Sequence, residues 1–284
     1  MIDLQEKIIE KPSTINSNNA VNKLLSELSL EEDYNNILVL ILKPNYEVDY
    51  SSLKMFDIKG IDYVKSACNM FETKIIDYDM KEDVIDVIKQ NASNKKYVLV
   101  LFSDTPLITK KTVIEIVDYF LIKKLCSLKF NRGFMFETNY LKSVEKIYNP
   151  LEQNFFEEDF VKVSSSSSYS QALEILKKRI ITYHQHNGVI FLDPNSAFID
   201  AIVNIEKGTI IGTNVKILGK SIIKENCVLS DCLVNKVIIE KNVSIKNSIV
   251  ENSVVCESVA VCDFSVIKNK TIEANKIIQN EKMI

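Results

Sequence analysis

Residues 199–229 read IDAIVNIEKGTIIGTNVKILGKSIIKENCVL, and an aliphatic side chain falls on every sixth position: Ile199, Ile205, Ile211, Ile217, Ile223 and Leu229. The beat resumes at Ile239 and Ile245, then at Val255, Val261 and Ile267, after four-residue slips at 229→239 and 245→255. Four residues after each beat comes the position read as a corner: Val203, Thr209, Val215, Ser221, Cys227, Leu233, Val243, Ile249, Val259 and Ser265, most of them small or β-branched. Turn formers such as Lys207-Gly208, Thr213-Asn214, Glu225-Asn226, Lys241-Asn242 and Glu257-Ser258 fill the gaps. Ordinary half-buried strands alternate with period two and have no lock on six. A period of six is the hexapeptide signature of a parallel β-helix, in which three hexads make a triangular coil of roughly eighteen residues. The aliphatic side chain points into the prism, and stacked coils bury one apolar column that no single coil can bury alone. The beat predicts about four such coils, ending at Ile267.

Working outward, 284 residues with 46% apolar composition suit two domains. Net charge is −3 with both signs interspersed, so no basic face points to a nucleic-acid or anionic-membrane partner. No apolar run approaches the length of a membrane span, and the N-terminus lacks a secretory pattern. The six cysteines (Cys68, Cys126, Cys227, Cys232, Cys256, Cys262) form no CxxC and no metal spacing. They read as structural thiols in a cytoplasmic protein. There are only six glycines, and none builds a phosphate-cradling loop ahead of Gly208 and Gly212, which fall at β-helix corners.

The N-terminal part reads as alternating strands and helices. Residues 19–33 fit a short amphipathic helix, Ile37–Leu42 a strand covered on both faces, and residues 60–71 a helix. A strand follows at Lys74–Asp77, a helix at Met80–Gln90 and a second buried strand at Tyr97–Phe102. Thr109 is the expected N-cap of a helix running to about Leu125. Short strands fill 127–137, and Thr138–Tyr148 reads as a helix. This order predicts an α/β doubly wound domain. The run Ser164–Ser168 reads as a solvated linker before a helix at Tyr169–His184. The expected organisation is an N-terminal extension (1–36), the α/β domain (37–168), a linker helix (169–186), the β-helix (187–270) and a C-terminal tail (271–284).

Two stretches carry a family resemblance. Arg179-Ile180, His184-Gln185-His186-Asn187-Gly188-Val189 and Asp193-Pro194-Asn195-Ser196, with Ile199-Asp200 beyond, resemble a junction between two domains. It is the one in the bifunctional N-acetylglucosamine-1-phosphate uridyltransferase/glucosamine-1-phosphate acetyltransferase family. Leu99–Thr109 resembles that family's strand ending in Gly-Asp-x-Pro-Leu, with Ser103 in place of the glycine. The resemblance implies a nucleotidyltransferase-like domain joined by a helix to a left-handed β-helix. It also implies Mg²⁺-assisted attack of a sugar-1-phosphate on the α-phosphate of UTP.

Carried over residue by residue, Asp104 matches the Mg²⁺ ligand; a cap for the helix at Thr109 is the alternative reading of the same side chain. Ser164-Ser165-Ser166 stand where the family has Asn-Asn-Arg, which supplies the second ligand. The family's nucleotide loop and its arginine have no counterpart after Ile41, where Lys43 is the remaining phosphate candidate, or simply a solvated lysine. Lys54 stands near the family's Pro-Lys, and Asn131 and Gly133 fit its sugar-binding stretch, in which Lys129 replaces a glutamate. Only 60 positions separate Asp104 from Ser164, so much of the sugar-binding half is trimmed. The acetyltransferase coils and their histidine are absent by this reading, since His184 and His186 belong to the junction. Three functions stay open. One is a degenerate binder of nucleotide or nucleotide sugar acting as a regulatory subunit. The others are an active Mg²⁺-dependent nucleotidyltransferase and a structural scaffold. The expected assembly is a homotrimer through the β-helix, using Ile222, Val237, Val254 and Val266.

Overall fold

The computed structural model describes residues 31–92, 95–146 and 150–284. The chain forms two compact units that part between Leu173 and Glu174, inside a helix. The helix expected over 19–33 falls almost entirely outside the described residues.

In the first unit α1 (Glu31–Asn35) leads into β1 (Ile37–Pro44), and a small hairpin, β2 (Lys54–Met55) and β3 (Ile58–Lys59), precedes α2 (Gly60–Ala67). Next come β4 (Glu72–Tyr78), α3 (Val84–Asn91), β5 (Tyr97–Phe102) and α4 (Lys110–Ile122). The unit continues with β6 (Ser127–Phe130), β7 (Gly133–Glu137), α5 (Thr138–Ser143) and β8 (Leu151–Glu152). α6 (Ser166–His186) carries the chain out.

The six-stranded sheet runs in the order β4-β1-β5-β7-β6-β8. β1 pairs in parallel with β4 and β5, while β7 runs antiparallel to both β5 and β6. Strand alternation sorts the two cores. Ile37, Val39, Ile41, Leu99 and Leu101 face one layer with Val64 of α2 and Val113 and Ile116 of α4. Leu38, Leu40, Leu42, Val98 and Val100 face the other with Val87 and Ile88 of α3 and Leu141 of α5. A sheet covered on both faces is why the strands read as unbroken apolar runs. The helices expected at 80–90 and 138–148 are shorter, starting after the Asp83 cap and ending at Ser143. α6 starts earlier than expected, because the serine run forms its first turn: Oγ of Ser168 accepts from the backbone N–H groups of Ser164 and Ser165.

The second unit is the left-handed β-helix: seventeen short strands in three parallel sheets of 6, 5 and 6. Ile199, Ile217, Val234, Val250, Ile267 and Met283 stack on one side. Ile205, Ile223, Ile239, Val255 and Ile272 stack on the second. Phe191, Ile211, Leu229, Ile245, Val261 and Ile278 stack on the third.

Two expectations are corrected here. The four-residue slips are pairs of five-residue sides, 229→234→239 and 245→250→255. Val234 and Val250 point inward and are fully buried, while Leu233 and Ile249, expected at corners, face outward. The coil also does not end at 267, for Thr271–Ile272, Ile277–Gln279 and Lys282–Met283 extend the three sheets, so the expected tail is coil.

Each five-residue side turns through one left-handed residue: Asp231, Lys236, Asn247, Asn252, Asn269 or Asn280. Asparagine tolerates that conformation better than other non-glycine residues. Eight asparagines hold it, at φ between 46° and 62°, which is how so glycine-poor a chain closes its corners. Lys–Glu pairs such as Lys224–Glu240 (2.8 Å) and Lys268–Glu251 (2.6 Å) link successive coils on the surface. Val237, expected on the outer surface, is 1% exposed and fills a corner. Outward, Ile222, Ile238 and Val254 stand in register on one sheet, and Val266 lies on another.

Candidate functional site

The carboxyl ends of β1, β4 and β5 converge on a pocket of about 380 Å³, at the edge where open α/β sheets place ligands. Pro44 and Tyr46 reach it from β1, Tyr78 from β4 and Phe102 from β5. Arg132 arrives from the two-residue turn between β6 and β7.

Asp104, two residues beyond β5, is 2% exposed. Both its oxygens are taken: Nε of Arg132 donates to Oδ1 at 2.7 Å, and Nη2 of Arg132 donates to Oδ2 at 2.6 Å. The Tyr46 hydroxyl adds a third bond to Oδ2 at 2.6 Å. A guanidinium matches a carboxylate in this two-pronged way as a lysine cannot. The same guanidinium stacks on the Phe102 ring, 4.3 Å from its centroid. Burial opposes the charge on Arg132, but the hydrogen bonds and charge of Asp104 outweigh it and raise the pKa. Burial, then the bond to Asp104, lifts the Tyr46 phenol above its usual range, so it stays a donor. Asp104 is not the cap of α4: that role belongs to Thr109, which accepts from the Thr112 N–H. Behind it, buried Asp159 accepts from the Thr109 N–H and from both threonine hydroxyls.

The other expected residues divide. Asn131 and Gly133 line the pocket with Arg132, but their contacts are structural. The Asn131 amide oxygen accepts from the Phe155 N–H at 2.7 Å. A Cβ at Gly133 would sit 2.4 Å from the Phe130 ring and 2.5 Å from the Val100 carbonyl oxygen. Lys43 and Lys54 do not line the pocket. Lys43 pairs with Asp49 at 2.7 Å, and Lys54 with Asp57 at 2.7 Å on the β2–β3 hairpin. Lys129 pairs with Glu152 at 2.6 Å.

The residues present do not fit a divalent cation. A metal at Asp104 would have to displace a positively charged group from both carboxylate oxygens. The serines that stand where the family has its second ligand instead form the first turn of α6. Among the described residues no group of three or more His, Cys, Asp or Glu side chains is arranged to hold a metal.

Three residues at this site carried no weight in the sequence reading: Arg132, Tyr46 and Lys162. A signal for the first exists. The chain has only two arginines, Arg132 and Arg179, against 33 lysines, and an arginine's planar fork suits a carboxylate partner as a lysine does not. Lys162 is placed by the neighbouring Val163 N–H, which donates to the Asp104 carbonyl at 2.7 Å.

No protein-family model matches the chain. The bifunctional protein GlmU of Clostridium tetani is 39% identical over 89 residues, 31% of this chain and 19% of that protein. That of Lactobacillus johnsonii is 42% identical over 67 residues, 24% of this chain and 14% of the relative. The resemblance read from the sequence is thus borne out for part of the chain, which spans less than a fifth of the length of these relatives. Among solved structures, a cytidylyltransferase from Leptospira borgpetersenii aligns with a TM-score of 0.39 at 12% identity, covering 53% of this chain and 91% of its own. The manganese complex of Rv0371c from Mycobacterium tuberculosis aligns with a TM-score of 0.38 at 9% identity, covering 49% of this chain and 98% of its own. Among the described residues no helix is long and apolar enough to cross a membrane.

Proposed function

We propose that this chain is a nucleotidyltransferase-like protein that binds a nucleotide or nucleotide sugar without carrying out the transfer, and that it acts as a binding or regulatory subunit. One observation carries the reading: the carboxylate matching the family's Mg²⁺ ligand is held on both oxygens by Arg132 and bonded by Tyr46. Without Mg²⁺ at Asp104, the charge that develops on the α-phosphate in the transition state lacks the ion that would neutralise it. The aromatic-lined pocket at the strand ends remains, in the size range of small-molecule sites.

Assembly as a trimer through the β-helix belongs to the same proposal, supported by the outward ladder of Ile222, Ile238 and Val254. Light scattering should give three times the 32.4 kDa chain mass.

Calorimetric titration with UTP and with UDP-N-acetylglucosamine tests the function, beside a pyrophosphate-release assay with sugar-1-phosphate and Mg²⁺. The expected result is saturable binding of at least one nucleotide with no pyrophosphate released. Turnover lost in Asp104→Asn would establish the active transferase instead. No binding at all would leave the scaffold reading.

A further inference from the structure

Arg132 uses one edge on Asp104. Nε and Nη2 point at the carboxylate, Nη2 also reaches the Tyr46 hydroxyl at 3.3 Å, and Nη1 makes no hydrogen bond among the described residues. The side chain is 24% exposed and lines the pocket. An arginine locked in this way is a pre-oriented donor, because its planar fork has already lost the freedom that a bound anion would otherwise have to remove.

A second cation lines the same cavity. Lys162 is exposed, lines the pocket and sits with Nζ 5.2 Å from the centroid of the Tyr46 ring. Its place is fixed by the bond from the Val163 N–H to the Asp104 carbonyl, so the two cations are tied to the same residue. Aromatic rings of Tyr46, Tyr78, Phe102 and Phe134 share the remaining wall with Met80 and Val84. The charge of Arg132 is balanced by Asp104, and Lys129 is balanced by Glu152. The pocket therefore keeps the charge of Lys162 together with the directed N–H groups of Nη1.

We propose that this cavity takes the phosphate of a nucleotide directly between Nη1 of Arg132 and Nζ of Lys162, with the base against the aromatic wall and no divalent cation between protein and ligand. The proposal rests on the nucleotide-binding reading above and adds the chemistry of recognition. The charge of Lys162 and the fixed N–H groups of Arg132 Nη1 take the place at this site that a metal would otherwise have. Hydrogen bonds from cations to phosphate are among the strong ones. They are screened by salt where the cation is exposed, as Lys162 is.

The test is calorimetric titration of the 284-residue chain with UMP and with UDP-N-acetylglucosamine, once in EDTA and once in Mg²⁺. Wild type, Lys162→Ala and Arg132→Lys are compared. Lys162→Ala removes an exposed side chain and should leave the fold untouched; Arg132→Lys keeps a charge on Asp104 but loses the second edge. The expected result is equal affinity with and without Mg²⁺, and a loss of roughly tenfold or more in each variant. Binding that needs Mg²⁺, or that both variants retain at full strength, would overturn the proposal while leaving the nucleotide reading in place. If neither probe binds under either condition, both fail together.

Discussion

Removing either partner of the Asp104–Arg132 pair should cost far more than the pair itself contributes. At 2.6 Å two unit charges attract by about 6 kcal/mol in an effective dielectric of ~20. Withdrawing the two ions from water costs several kcal/mol each, so assembling the pair is close to neutral. Breaking it leaves one charge buried alone, at ~3–5 kcal/mol. Asp104→Asn leaves Arg132, whose side chain is 24% exposed so that water relieves part of the penalty, and should destabilise the first unit by ~3 kcal/mol, or ~6–12 °C in melting temperature. Arg132→Met leaves Asp104, which is 2% exposed, and should cost ~3–5 kcal/mol. The double variant carries neither charge and should be little worse than either single one, a coupling of ~2–3 kcal/mol.

The assay is urea unfolding followed by circular dichroism at 222 nm, since the chain has no tryptophan. Coupling below ~0.5 kcal/mol, the level of an exposed surface pair, would refute the reasoning.

Val234 is fully buried and Leu233 only partly. Val234→Asn should therefore cost ~2–3 kcal/mol for an unpaired buried amide, and Leu233→Asn under ~1 kcal/mol, in urea unfolding; equal costs would restore the unbroken six-residue beat. Asn242 sits at a corner with φ of 61°. Asn242→Ala should lower stability by ~1 kcal/mol and Asn242→Gly should not, a difference that thermal melts resolve. Burial pushes the Cys68 and Cys232 thiols up to about 12. At pH 8 an aromatic disulfide reagent should label exposed Cys126 first and spare those two until the chain unfolds.

The sequence made the architecture readable where one rule governs each residue. An unbroken apolar run such as Ile37–Leu42 has little choice but a covered strand, and the six-residue period admits few folds. It was less readable at 229–255, where the coil shortens its sides. A search for period six reads 233 and 249 as corners; only the parallel register reveals that Val234 and Val250 carry the inward beat.

Asp104 was legible as a strand-end carboxylate, but its partner was not. Arg132 lies 28 positions away and reaches Asp104 only because β7 folds back beside β5. Nothing local to either residue predicts that pairing. Asn131 and Gly133 line the pocket. Their contacts, a clip on Phe155 and a close approach to Phe130, are tertiary packing facts that motif reading cannot separate from ligand binding.

A guanidinium occupies both oxygens of Asp104, the carboxylate that the family resemblance reads as a metal ligand. Titration of Mn²⁺ into the wild-type chain, followed by water-proton relaxation, tests it most directly. Asp104→Asn serves as the control, with its fold verified by circular dichroism. The prediction is no saturable site in the wild-type protein and no difference between the two. A stoichiometric Mn²⁺ site that disappears in Asp104→Asn would contradict the account.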